Sequence, residues 1–142
     1  QIAEQEKLIS SLANKNEITE TTIRARFADI SKLTDERVFS RPITFAGIEW
    51  RICICKDDNH LALRLNTKMK CTGSMNCSGF SEYKLISQNS NEIYYSRPDD
   101  KKVDLYYNDE NWGYSKFISF KKGYVKDDSI LVAIDVKVFP TV

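Results

Sequence analysis

The side chains that most often perform catalysis are few in this chain, and their spacing does not form a catalytic site. His60 is the only histidine; it follows an acidic turn and begins a predicted strand, which is typical of a strand-edge residue. Cys53 and Cys55 lie within an apolar strand, where burial disfavours the thiolate that a nucleophile needs. We therefore predict no catalytic residue, and we predict that the chain is not an enzyme.

The four cysteines do not have the spacing of a zinc site or of a disulfide framework. Structural zinc sites usually take paired ligands from C-x2-C turns, and Cys53, Cys55, Cys71 and Cys77 lack that pattern. Cys53 and Cys55 also share one face of a strand, so they rarely pair with each other. We predict reduced thiols, no metal and no cofactor, in a cytoplasmic or nuclear protein.

One segment has a composition suited to contact with another polypeptide. Trp112, Gly113 and Tyr114 place a glycine between two aromatic residues, which suits a rigid apolar floor that a foreign backbone can approach closely. Aromatics at alternate strand positions are also common in cores. With Asn111 and Ser115 on the opposite face, however, the core would gain little apolar material, so the pattern favours an exposed or partly exposed aromatic face.

Length, composition and charge exclude several classes of protein. The 142 residues suit one domain, and 42% apolar with 29% charged residues is ordinary for a globular fold. No apolar run reaches the ~18 residues of a membrane-spanning helix. Lysine and arginine number 21 against 20 acidic residues, and they are scattered, so neither nucleic acid nor membrane is an expected partner. The chain begins at Gln1 without a methionine or signal peptide, which is typical of a piece of a longer protein.

The elements that position these residues are mostly strands. From Thr21 onward apolar and polar residues alternate in short runs, which indicates half-buried strands in antiparallel sheets. Turn-forming residues, including Arg97-Pro98-Asp99-Asp100, separate the runs. We predict an all-β fold, an antiparallel β-sandwich of seven or eight strands that occupies residues 20–142 as one domain.

The first 19 residues have a different pattern, which predicts a short N-terminal helix. Ile2, Ile9 and Leu12 fall on a heptad seam, but only about two heptads are visible. A single helix that caps the domain and the end of an oligomerising coiled coil are both compatible with this segment.

Four segments of the chain form a recognisable series: residues 47–52 (GIEWRI), 61–65 (LALRL), 112–118 (WGYSKFI) and 128–130 (DSI) with the strand that follows. In order and spacing they resemble the MATH domain, the meprin and TRAF homology module. The resemblance runs from about Glu20 to Val142. It implies an antiparallel β-sandwich of seven or eight strands that binds short, extended peptides in a shallow groove across one sheet.

The resemblance also implies which residues bind the peptide. Trp112, Gly113 and Tyr114 match the tryptophan, glycine and aromatic residue of the groove in the family's substrate adaptors. Three further groove positions, aromatic in those relatives, fall here on non-aromatic residues. By alignment they are Arg64, Ser81 and Asp104, and a two-residue register shift would place Tyr83 instead of Ser81.

These residues lead to an expected ligand and partner. A groove flanked by Arg64 and Asp104 should prefer a peptide with one apolar anchor and complementary charged or polar neighbours. Such a small contact is weak, roughly micromolar, so avidity would make oligomerisation useful. We expect short linear motifs of other proteins as partners, and a homo-oligomer, trimer or dimer, formed through the N-terminal helix.

Three roles fit such a module. The first is a non-enzymatic adaptor, for example a substrate-recognition domain of a ubiquitin ligase or of a signalling assembly. The second is an accessory domain that docks substrates for a protease or deubiquitinase, and the third is a self-associating scaffold. Flanking sequence separates the first two, because a BTB or RING segment indicates an adaptor and a catalytic cysteine domain indicates an enzyme.

Overall fold

The computed structural model describes residues 19–69, 77–104, 110–120 and 122–140. Nine strands occur in these ranges, with two short 3₁₀ turns at Ile30–Lys32 and Lys122–Tyr124. The strands are β1 (Thr19–Phe27), β2 (Val38–Phe39), β3 (Ile43–Phe45), β4 (Ile48–Asp57), β5 (His60–Met69), β6 (Cys77–Ile86), β7 (Ile93–Asp104), β8 (Glu110–Ser119) and β9 (Ile130–Pro140).

The strands form two antiparallel sheets, which confirms the predicted all-β antiparallel sandwich. One sheet has the order β1-β9-β6-β7, and the other has the order β2-β4-β5-β8, with β3 also pairing with β4. The strand count is nine and not seven or eight, partly because β2 and β3 contain only two and three residues. Alternation over so few residues gives no readable period.

The core lies between the sheets and is built from the alternating residues of three central strands. Their inward-facing side chains are almost completely buried, as a two-residue period requires when one face of a sheet packs on another. They are Ile48, Trp50, Ile52 and Ile54 of β4, Leu61, Leu63 and Leu65 of β5, and Ile130, Val132, Ile134 and Val136 of β9.

β7 corrects one feature of the sequence prediction. The residues 97–100, which had indicated a turn, lie inside this strand. Pro98 is tolerated because β7 is the edge of its sheet and pairs only with β6. A proline that cannot donate a hydrogen bond does no harm where no neighbouring strand needs one.

The predicted helix of residues 1–19 lies outside the described residues, apart from Thr19, which is the first residue of β1. Within the described ranges there is no α-helix. No helix found there has the length and apolar character needed to cross a bilayer.

Candidate functional site

The predicted aromatic segment lies on β8, the edge strand of its sheet. Cross-strand neighbours along the regular part of the β5–β8 ladder are Leu65 with Trp112, Arg64 with Gly113, and Leu63 with Tyr114. Among the described residues no strand pairs with the other edge of β8. The outer edge of β8 is therefore a candidate for main-chain pairing with another polypeptide.

The rings of Trp112 and Tyr114 turn toward the space between the sheets. Opposite residues of an antiparallel pair point to the same face, and their partners Leu65 and Leu63 are core residues. Both rings pack on the core but stay partly exposed, because β8 is an edge. The expectation that they lie partly exposed is confirmed, although they face the space between the sheets and not the outer side of their own sheet.

Tyr114 connects the edges of the two sheets. Its ring meets Tyr83 edge-on with centroids 5.7 Å apart, and it lies 6.1 Å from the ring of Phe117. Its hydroxyl donates a hydrogen bond to the Pro98 carbonyl of β7. The Arg97 guanidinium lies over the ring, 3.9 Å from its centroid. Tyr114 is therefore fixed on one side by the core and on the other by β7.

Gly113 occupies a position that tolerates no other residue easily. Its φ of +129° is unfavourable for residues with a side chain, and an added Cβ would meet the Leu63 carbonyl, the Arg64 Cα at 2.8 Å and the Tyr83 ring at 3.2 Å. The residue itself is exposed. The absence of a side chain at Gly113 thus lets β8 lie close to β5 and to the Tyr83 ring.

Arg64 and Ser81 lie on opposite sides of this strand. Arg64 points outward, and its Nη2 donates to the Ser115 Oγ of β8 at 2.5 Å. Ser81 of β6 faces inward and lines a narrow crevice together with Trp112, Trp50 and other apolar residues. The structure therefore brings Ser81 to Trp112, and Arg64 to Gly113, as two separate pairs.

Tyr83 and Asp104 are the remaining residues that the alignment named, and the structure describes the side chain of Tyr83 but not that of Asp104. Tyr83, the alternative to Ser81, is completely buried beneath Tyr114, so it supports the site from below. Burial raises the pKa of its phenol far above the ordinary value, which keeps it neutral. Asp104 ends β7 opposite Ser78, and its side chain lies outside the described residues.

Arg97 is a site residue that the sequence prediction missed. Its Nη1 donates to the carbonyls of Lys116 at 3.1 Å and Phe117 at 3.4 Å, both on β8. It thereby covers part of the free edge of β8 as a neighbouring strand would. The sequence did not identify Arg97 as a site residue because the proline and aspartates that follow it indicated a turn.

No group of three or more histidine, cysteine or carboxylate side chains in the described part of the chain is arranged to hold a metal ion.

Cys53 and Cys55 are buried free thiols. Burial is the main cause that raises the pKa of Cys53, and the neighbouring Cys55 raises it further, to about 11. The positive charges of Arg37, Arg64 and Arg51 act in the opposite direction but are outweighed. This thiol is therefore protonated at neutral pH. Cys71 lies outside the described residues, and Cys77 is described only as the first residue of β6.

Comparison with known proteins identifies the family. A comparison with curated proteins found no match. Among solved structures, the Salmonella enterica trimeric lipoprotein SadB aligns over 99% of this chain and 72% of its own, with 13% identity and a TM-score of 0.31, values too low to support an inference. The family model of the MATH domain matches residues 27–138. Since this match spans most of the chain and agrees with the two-sheet sandwich, the chain belongs to the MATH domain family.

Proposed function

We propose that this domain is a non-enzymatic module that binds a short, extended peptide along the free edge of β8. MATH domains are protein-interaction modules. The observation that carries the finer proposal is that no strand in the described part of the chain pairs with the outer edge of β8, next to the partly exposed Trp112. An extended peptide added to such an edge gains affinity from main-chain hydrogen bonds and specificity from side-chain pockets.

The available length of edge limits the peptide. β8 pairs regularly with β5 from Glu110 to Tyr114; beyond that point residues 115–117 lie opposite the single residue Ala62, which bends the strand. Arg97 already donates to the carbonyls of Lys116 and Phe117. Main-chain pairing should therefore cover about four or five residues of the ligand, one for each regular residue of the edge.

Two features would select the peptide's side chains. On the inner side, an apolar anchor would pack on the partly exposed Trp112 indole at the mouth of the crevice that this residue forms with Ser81, because the crevice itself, about 10 Å³, is too small to take a side chain. On the outer side, the Arg64 guanidinium lies beside the bare backbone of Gly113 and would favour a polar or acidic residue. Asp104 remains a proposed contact at the end of β7.

The biological role follows from weak, sequence-selective capture. An interface of four or five ligand residues is small, so an affinity of roughly micromolar is expected. We propose that the domain acts as an adaptor or substrate-recognition domain in the cytoplasm or nucleus, and that oligomerisation through residues 1–19 supplies avidity.

Selection of ligands from a random peptide display library tests the proposal. Peptides selected on the wild-type chain should lose binding by at least tenfold in the Trp112→Ala variant, measured by fluorescence anisotropy. Phe39→Ala is the matched control, because Phe39 is an exposed aromatic on β2, at the opposite end of the same sheet. Equal losses in the two variants, or a library that yields no ligand, would contradict the proposal.

The charge reversal Arg64→Glu is a second test, and its result does not depend on whether the Trp112→Ala variant folds. Arg64→Glu replaces a side chain on the outer face of the sheet, so the fold should be retained. Peptides selected on this variant should carry basic residues where wild-type ligands carry polar or acidic ones. Identical selected sequences would show that Arg64 is not part of the site.

A further inference from the structure

A depression of about 520 Å³ lies between the edges of β7 and β8, beyond the proposed peptide edge. We call it the β7–β8 depression. One side is formed by Tyr94, Tyr95 and Arg97 of β7, and the other by the second half of β8. Tyr95 packs edge-on against Phe117 of β8, with ring centroids 5.1 Å apart, which gives the depression a rigid aromatic wall.

The side chains that line the β7–β8 depression are basic, aromatic, polar or aliphatic, and none is acidic. Arg97 and Lys116 contribute two cationic side chains. Among the described residues, the hydrogen bonds of Arg97 use only Nη1, and a guanidinium has three further N–H donors on Nη2 and Nε. Lys116 contacts Asp58 at 3.3 Å, but both side chains are largely exposed, so this ion pair is weak and exchangeable.

His60 of β5 forms a third side of the β7–β8 depression. It begins the strand, opposite Ser119 of β8. Its Nδ1 is buried and has no hydrogen-bond partner among the described residues. This nitrogen has almost no surface open to the depression, so the groups that can bind a ligand there are Arg97 and Lys116.

We propose that the β7–β8 depression binds the carboxylate of an acidic residue in the same peptide that docks on β8. This inference rests on the proposed function and adds a specificity to it. Arg97 connects the two regions, since its guanidinium stacks on Tyr114 and its Nη1 caps the β8 edge where main-chain pairing ends. A carboxylate accepts hydrogen bonds from an arginine fork and from an ammonium group, which is the chemistry that Arg97 and Lys116 present.

The geometry also sets the position of the acidic residue. Lys116 lies four positions after Trp112 along β8. A strand rises ~3.3 Å per residue, so the acidic residue should lie roughly three to four residues from the apolar anchor, at the peptide end nearest Lys116.

A titration followed by amide nuclear magnetic resonance tests this directly. The probes are Ac-Ala-Glu-Ala-NH2 and its uncharged counterpart Ac-Ala-Gln-Ala-NH2. The glutamate peptide should shift the amide signals of residues 116–119 and the Arg97 side-chain signal, and the glutamine peptide should not. Lys116→Gln should weaken this binding by about two- to fivefold, as expected for a partly exposed ion pair, whereas the exposed Lys126→Gln should leave it unchanged.

Three outcomes would overturn the inference. They are the absence of shifts in the β7–β8 depression, equal shifts from both peptides, and equal binding of free glutarate, which would assign the depression to small carboxylates. Arg97→Lys keeps the charge while losing the fork and should give an intermediate effect. Trp112→Ala separates the two proposals, because it should abolish capture of library peptides while leaving the response to the short glutamate probe intact.

Discussion

Gly113 lies directly opposite Arg64 in the ladder between β5 and β8, and a Cβ atom at Gly113 would lie only 2.8 Å from the Arg64 Cα. The contact is with backbone, which cannot move aside, and φ is +129°. Gly113→Ala should therefore destabilise the domain by about 1–3 kcal/mol, through backbone strain and overpacking. Urea unfolding of the wild-type and variant chains measures this loss.

Gly123→Ala is the matched control for that substitution. A Cβ at Gly123 would lie 3.0 Å from the Tyr94 hydroxyl, the far end of a side chain that is 43% exposed and free to shift. The expected change in the free energy of unfolding is below about 1 kcal/mol. If the two variants lose equal stability, the close approach of β8 to β5 does not constrain Gly113.

The sequence predicted the centre of the sandwich better than its edges. β4, β5 and β9 are ten or eleven residues long, and apolar residues occupy every second position along most of each strand, so the strands could be recognised. The family resemblance, carried by residues on these strands and on β8, was confirmed by the match to residues 27–138. A period of two is reliable where a strand has a neighbour on each side and packs on a core.

The sequence prediction was incomplete at the edge strands β7 and β8, where one side of the strand has no neighbouring strand among the described residues. β7 continues through Pro98 because an edge strand needs no donor there. The faces of Trp112 and Tyr114 were assigned from composition, but at an edge a side chain can point inward and still contact solvent. Arg97 acts through a bond to β8 that depends on tertiary contact between strands of different sheets, which no local pattern records.

Asp135 should make the stability of the sandwich depend on pH. On β9 its carboxylate contacts the Lys84 Nζ at 2.5 Å and accepts a hydrogen bond from the Thr22 Oγ1 at 2.7 Å. Burial alone would raise its pKa, but the hydrogen bonds from Lys84 and Thr22, with the charges of Lys84 and Arg24, outweigh burial and lower it. The folded state therefore favours the ionised carboxylate more than the unfolded chain does.

The direction of the pH effect follows from that lowered pKa. The stabilisation is complete above the unfolded value of about 3.9 and is lost as the pH falls through the folded value. Asp135→Asn should cost up to about 1 kcal/mol at neutral pH, since the site is partly exposed, and the difference from wild type should shrink in acid. Urea unfolding at neutral and acidic pH checks this.

Asp58→Asn is the control for the Asp135 substitution. Asp58 also contacts a lysine, Lys116, but at 3.3 Å and with a side chain 79% exposed. Its φ of 52° suits asparagine as well as aspartate. We expect no measurable change in stability at either pH. A constant difference between wild type and Asp135→Asn across the pH range would contradict the assigned role of the ion pair.

Ser129 is a buried polar residue just before β9 whose hydroxyl connects β1 to a turn. Its Oγ accepts bonds from Arg26 Nε at 3.2 Å and Nη2 at 3.1 Å, and it donates to the Lys126 carbonyl at 2.7 Å. Ser129→Ala leaves these partly buried groups without that partner and should cost about 1–3 kcal/mol. Thermal and urea unfolding measure the loss, with the exposed Ser90→Ala as a control that should lose less than about 0.5 kcal/mol.

Cys53 should be unreactive in the folded protein despite the arginines around it. Burial and the neighbouring Cys55 raise its pKa to about 11, from an ordinary value of 9.0, so the thiolate is about 100-fold scarcer near pH 8 than for an unperturbed thiol. Burial of the sulfur adds a steric barrier. Iodoacetamide labelling followed by peptide mass spectrometry should therefore modify Cys53 at least 100-fold more slowly in the native chain than in urea. Rapid labelling under native conditions would show that the outer face of β4 opens to solvent, and the thiol would then have to be reconsidered as a reactive group.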